Sequence, residues 1–200
     1  MKSVRARVGA AGLALALVSG AAACQSNVGA AASVDGQRIP ESEVTKYIAP
    51  TGHSAASARQ LVVEVLLKQK LYESAMSKIG ARATDAQLTG LQGAAASALQ
   101  AQLPPGQAGI DALGAQLGQS GYTPSLAAVL LRALELELAF GQAKKVTNAA
   151  GIVAATKALN IPVSVSPRYG SWDATNQGLG TAVSPDFLTT SPSPSPSPAA

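Results

Sequence analysis

One cysteine, Cys24, constrains this chain more than any other residue. It stands directly behind Ala21-Ala22-Ala23, which follow an uncharged apolar stretch from Val8 to Val18 and a basic start in Lys2, Arg5 and Arg7. That order is the one a secretory signal peptide needs: charge, apolar run, small residues, cleavage. The apolar run falls short of the roughly 20 residues that span a bilayer as a helix. Residues 1–23 are therefore expected to be removed between Ala23 and Cys24 and to take no part in the fold. The Cys24 sulfur is then expected to carry diacylglycerol in a thioether. The freed amine can take a further acyl chain; one chain alone anchors a protein only marginally, and two or three make the anchor stable. A free or core-buried thiol is the competing reading, and it explains neither the alanines nor the apolar run. A lone cysteine also rules out an internal disulfide framework and Cys-rich metal sites.

The rest of the chain is long enough for one domain. Its core has to come from Leu, Val, Ile and Ala, since aromatic residues make up 4% of the sequence. Without Lys2, Arg5 and Arg7, 12 basic residues face 11 acidic ones and the formal charge drops from +4 to +1. Such a balance gives no electrostatic ground for nucleic-acid binding.

Residues 24–31 are small and polar and read as a flexible tether. Asp35-Gly36 between short apolar segments predicts a hairpin, because both central positions of the favoured turn need positive φ. Pro40 suits the first position of a helix running to about Ile48, with Glu41 and Glu43 in its first turn. From about Ser54 to Ile79, Leu61, Val62, Val65, Leu66, Leu67, Leu71, Met76 and Ile79 recur three and four apart over more than one stripe, which predicts a central helix. Thr84 and Gln87 form a capping box for a helix to about Leu103. A weaker helix is expected over 107–119. Thr123-Pro124 reads as the start of a fifth helix that packs on the central one. Residues 141–158 either extend it or form a separate piece. Residues 161–166 alternate as a half-buried strand at a sheet edge, and Arg168 to Trp172 reads as its return strand. The Ser-Pro repeat of 191–198 cannot pack a core, and 177–200 is expected to be disordered.

A lipobox followed by Ala-Ser-Val-Asp-Gly-Gln-Arg-Ile-Pro-Glu-Ser-Glu-Val and a long helix with Leu61 to Tyr72 resembles the N-terminal domain of the SurA/PrsA isomerase-chaperones. The matching positions are Val34, Gly36 and Ile39 in the hairpin, then Glu41 and Glu43. The closing Val-Ser-Val-Ser-Pro-Arg-Tyr-Gly-Ser-Trp-Asp, 163–173, resembles the end of SurA-N-like lipoproteins that lack an isomerase domain. The resemblance spans roughly 32–173. It implies a mainly α domain over 32–176 in which a small antiparallel sheet joins the two ends, 32–39 pairing with 163–172. It also implies binding of unfolded or extended polypeptide. Nothing after Leu103 resembles a parvulin domain, so isomerase activity is not implied and no enzyme is expected.

No residue set points to catalysis. His53, the only histidine, sits in a Pro-Thr-Gly-His-Ser turn with no nucleophile or carboxylate patterned around it. Glu64, Glu73, Glu135 and Glu137 lack the Glu-X-X-His spacing of di-metal bundles and read as solvated faces. No phosphate-binding glycine motif or nucleophile elbow occurs, and neither a metal nor a cofactor beyond the acyl groups on Cys24 is expected. Arg168, Tyr169 and Trp172 are the one concentrated polar-aromatic patch. Either the two rings close the core while Arg168 pairs with an acid, or the patch contacts a partner, as Trp, Tyr and Arg often do. The expected protein is thus membrane-anchored through lipid on the extracytoplasmic face. It either binds extended polypeptide in a chaperone-like way or scaffolds one dedicated envelope partner.

Overall fold

The computed structural model describes residues 29–49, 55–99 and 103–180. The expectations for Ala23, Cys24, His53 and the Ser-Pro repeat lie outside the described residues. Within them the chain is mainly helical with two small antiparallel sheets.

Strands β1 (Ala30–Val34) and β2 (Gln37–Pro40) form the expected hairpin, with Asp35 at φ 51° and Gly36 at φ 79° in the turn. Ala32 faces Ile39 and Val34 faces Gln37, with an irregularity between Ala30 and Ala32. Strand β1 begins earlier than 32, because Ala30 and Ala31 are buried where a tether was expected. Small side chains read as a linker here also let a backbone run close under a helix. Strand β3 (Val163–Val165) pairs with the other side of β1, Val34 opposite Val163 and Ala32 opposite Val165. The sheet order is therefore β2-β1-β3, with the C-terminal strand at an edge as Pro162 requires.

Helix α1 (Glu41–Lys46) is shorter than expected, and Pro40 is its extended N-cap residue rather than its first helical one. Ile48 leaves the helix to bridge Tyr122, and the Thr123 amide donates to the Tyr47 carbonyl. Helix α2 (Ala55–Lys78) is central: Val62, Val63, Leu66, Leu67, Tyr72 and Ala75 are all buried. Its N-terminal half packs under the sheet with Val34, Ile39 and Val44, and its C-terminal half packs on Phe140 and Leu136. Ser74 on α2 donates to Asp35 at 2.7 Å, and Lys78 stands 3.6 Å from the same carboxylate, so α2 grips the hairpin turn.

Helix α3 (Asp85–Ala98) starts with the full Thr84–Gln87 capping box and stops short of Leu103. Buried Gln92 clamps Gly106 by donating to its carbonyl and accepting from its amide, which fixes the start of α4 (Gln107–Gln119). Helix α5 (Leu126–Ala143) packs on α2, α3 and α4, and its N-cap residue is Ser125, not Thr123. The Thr123 hydroxyl instead meets Ser125 Oγ and donates to the Lys46 carbonyl. Helix α6 (Ala149–Lys157) is a separate piece with its own Asn148 cap.

Two expectations for the C-terminal end are corrected. Residues 167–169 form a 3-10 turn opened by Pro167, not a return strand, and β4 (Trp172–Asp173) pairs with β5 (Gly178–Leu179). Structure therefore continues past 176, and the Gln177 side chain is buried.

Candidate apolar groove between α3, α5 and α6

The polar-aromatic patch of the sequence is a closing joint. Tyr169 is 3% exposed, and its hydroxyl donates to Glu41 Oε2 at 2.5 Å. Arg168 stands 3.2 Å from Glu41 Oε1 as an ion pair, without the alignment of a hydrogen bond, and its guanidinium lies 5.6 Å from the Tyr169 ring centre. Burial, then the Glu41 contact, push the Tyr169 hydroxyl up to about 12. The patch thus ties the C-terminal turn to the first turn of α1. Trp172 packs half-buried against the first core cluster, over a cavity of about 240 Å³ that Leu71, Ile161 and Val163 also line.

Beside this joint runs a buried polar line. The Tyr72 hydroxyl donates to Gln177 Oε1 at 2.5 Å, and Thr156 on α6 donates to the Ile152 carbonyl. Glu137 faces Tyr72 from α5, and burial raises its pKa while Lys68 pulls it back. The Tyr72 hydroxyl is itself pushed well above the usual phenol range, by burial first and the Glu137 charge second.

The other glutamates do not converge. Glu64 pairs with Lys68 at 3.0 Å and Glu73 with Lys70 at 3.1 Å, both along α2. No group of three or more metal-ligating side chains occurs among the described residues. A depression of about 520 Å³ near Gly80 is lined by Glu73, Arg82 and Arg132. Two of its charges are already partnered, Glu73 by Lys70 and Arg132 by Asp85.

An open apolar surface lies elsewhere. Leu91 and Ala94 of α3, Leu138 and Gln142 of α5, Lys145, Val146 and Thr147 of the connection, and Ile152 of α6 line a groove of about 450 Å³. Ligand-binding clefts typically span about 300–1,000 Å³. The groove exists because the α5–α6 connection turns back tightly. The Val146 amide donates to the Gly141 carbonyl at 2.8 Å and the Lys145 amide to the Gln142 carbonyl at 3.0 Å, a Schellman end to α5. A Cβ on Gly141 would lie 2.9 Å from Ile152 Cδ1, and one on Gly151 would lie 2.3 Å from Val146 Cγ1. Glycine at both positions lets the connection press onto α5.

The sequence patterns did not single this groove out. Its lining comes from three elements whose contacts are not adjacent in sequence, and 141–158 had two open readings. One signal was present: Lys144 and Lys145 end α5 side by side, with no acidic residue within six positions. No helix among the described residues is long and apolar enough to cross a membrane. The chain matches no protein-family model, no curated protein and no solved structure.

Proposed function

We propose that this chain is a lipid-anchored, extracytoplasmic, SurA-like protein that binds unfolded or extended polypeptide and has no isomerase activity. The apolar groove between α3, α5 and α6 carries the proposal, because ligand sites are typically concave, mostly apolar clefts with a few polar groups, and this groove has that make-up. Support also comes from the lipobox before Cys24 and from the Val34-Gly36-Ile39 hairpin that enters an acidic first turn. Pairing of the C-terminal β3 with β1 accords with the SurA-N-like arrangement.

The test uses the full chain and a permanently unfolded client, a reduced and carboxymethylated globular protein. The chain should bind this client and not its native form, and Leu138→Gln in the groove should abolish binding while the fold persists. Equal binding by the variant removes the groove from the reading. A dedicated scaffold remains the second reading, favoured by the scarcity of other apolar surface: among the described large hydrophobic residues only Leu61, 40% accessible, is exposed. Crosslinking at the intact cell surface separates the two, many unfolded chains against one partner. Anchoring is tested apart from this: Cys24→Ala should abolish fatty-acid labelling.

A further inference from the structure

This inference rests on the groove being a polypeptide site, and it concerns which polypeptides enter. We propose that the groove selects apolar segments carrying a carboxylate, and that Lys145 is the specificity-determining residue.

Lys145 lines the groove beside Leu138 and Val146. It occupies the left-handed position that ends α5, at φ 57°. Glycine is the usual residue there, and a side chain at positive φ is held against a steric cost. A cation at a helix C-terminus complements the helix dipole, but Lys144 already supplies one. The dipole therefore does not call for a lysine at the strained position. Lys145 forms no ion pair among the described residues, as is also true of Lys46, Lys144 and Lys157, whereas Lys68, Lys70 and Lys78 are paired; of the unpaired lysines only Lys145 combines a left-handed backbone with a place in the groove lining. A glycine position is thus filled by a lysine, unpaired, at the rim of an apolar groove. A ligand with apolar side chains and one carboxylate complements both features. Peptide occupancy is favoured over a lone alkyl chain because the lining also includes the Gln142 and Thr147 side chains, both exposed and able to hydrogen-bond.

The probes are three fluorescein-labelled decapeptides, each with two leucines and one phenylalanine, that differ at one residue: aspartate, asparagine or lysine. Anisotropy titration of the full chain should rank them in that order. The aspartate peptide should lead the asparagine one by about five-fold at low salt, the scale of an exposed ion pair, and lose that lead in 1 M salt. Lys145→Gly should bind the aspartate and asparagine peptides equally. It should also melt at a higher temperature than the parent, because it relieves the left-handed strain, so lost preference cannot be put down to misfolding. Equal binding of the aspartate and asparagine peptides to the parent chain overturns the charge selection and leaves the groove reading standing. No binding of any peptide overturns both. Displacement of a bound peptide by dodecanoate but not by its unlabelled form would assign the groove to an anionic amphiphile and overturn the proposal.

Discussion

The joint where the two ends of the domain meet and the groove between α3, α5 and α6 use opposite chemistry. At the joint, polar groups face polar partners: Glu41 holds Tyr169 and Arg168, Ser74 and Lys78 hold Asp35, and Gln177 holds Tyr72, with Glu41 Oε1 and Arg59 Nε the two buried atoms left without a hydrogen bond among the described residues. At the groove, apolar side chains stay half-open and its one lysine, Lys145, has no acidic partner among the described residues. Matched buried polar groups fix one geometry and are costly to disturb. Unmatched cations beside apolar surface contribute little to folding and are available to a ligand. The concentrated Arg-Tyr-Trp patch of the sequence belongs to the first kind of region, so residue types favoured at interfaces here mainly close the fold.

The largest test of that contrast removes the joint. Deleting 163–200 takes away β3, Tyr169 and Gln177 together and should abolish cooperative thermal unfolding, because a lone two-stranded hairpin is marginal in water. Deleting only 181–200 should leave the melting temperature unchanged. Cutting at 177 should lower it, since Tyr72 then loses its acceptor. A 163–200 deletion that melts like the parent would refute the joint as the closing element.

Next in size is Trp172→Ala. The ring is partly accessible, so the loss should be about 2–3 kcal/mol, below the roughly 3–5 kcal/mol of a fully buried ring. Denaturant titration measures it, and in the parent chain the emission of Trp172, its only tryptophan, should be blue-shifted when folded. Tyr72→Phe should follow at about 1–3 kcal/mol, because the Gln177 amide is left buried without its donor. On the groove side, Leu138→Gln should cost only about 1 kcal/mol, as a half-open leucine loses little burial. It should nonetheless remove client binding. If it costs more stability than Tyr72→Phe, the groove is core and the contrast fails.

Local rules made much of the joint legible. Asp35-Gly36 dictated the turn, the 54–79 periodicity gave α2 to within about a residue at each end, and alternation at 161–166 placed an edge strand. What local rules missed was set by partners distant in sequence. Trp172 pairs with Leu179 rather than folding back on β3, because Pro167 and Gly170 at φ 101° turn the chain away first. Gln177 looks like the start of a polar tail until Tyr72 supplies a buried donor. Helix α5 starts at Ser125 with no side-chain cap, while the Thr123 hydroxyl is turned to the Lys46 carbonyl and Ser125 Oγ, partners that the local sequence does not reveal. The groove depends on Gly141 and Gly151 admitting Ile152 and Val146, contacts that no periodicity encodes.

The smallest expected effect is a pH dependence confined to the joint side of α5. Burial raises the Glu137 carboxyl above its ordinary value of 4.5, with Lys68 and then Tyr72 opposing it. Between 4.5 and the raised value the folded chain holds a proton that the unfolded chain has released. Stability contributed at Glu137 therefore falls as pH rises through that window and stays lower above it. Asp35 works in a separate window and with the opposite sign. The Ser74 hydrogen bond and Lys78 hold its carboxyl below 3.8, so its contribution is present above that value and lost on acidification. Glu137→Gln fixes the neutral form. The variant should match the parent near pH 4 and melt higher at pH 7, the difference growing with pH and then levelling. Glu137 faces Tyr72, whereas Leu138 and Gln142 line the groove, so peptide binding should not change at either pH. A melting difference that is constant or reversed across pH 4–8 would mean the carboxylate stays solvated. A pH-dependent change in peptide binding would mean that joint and groove are coupled through α5 rather than separate.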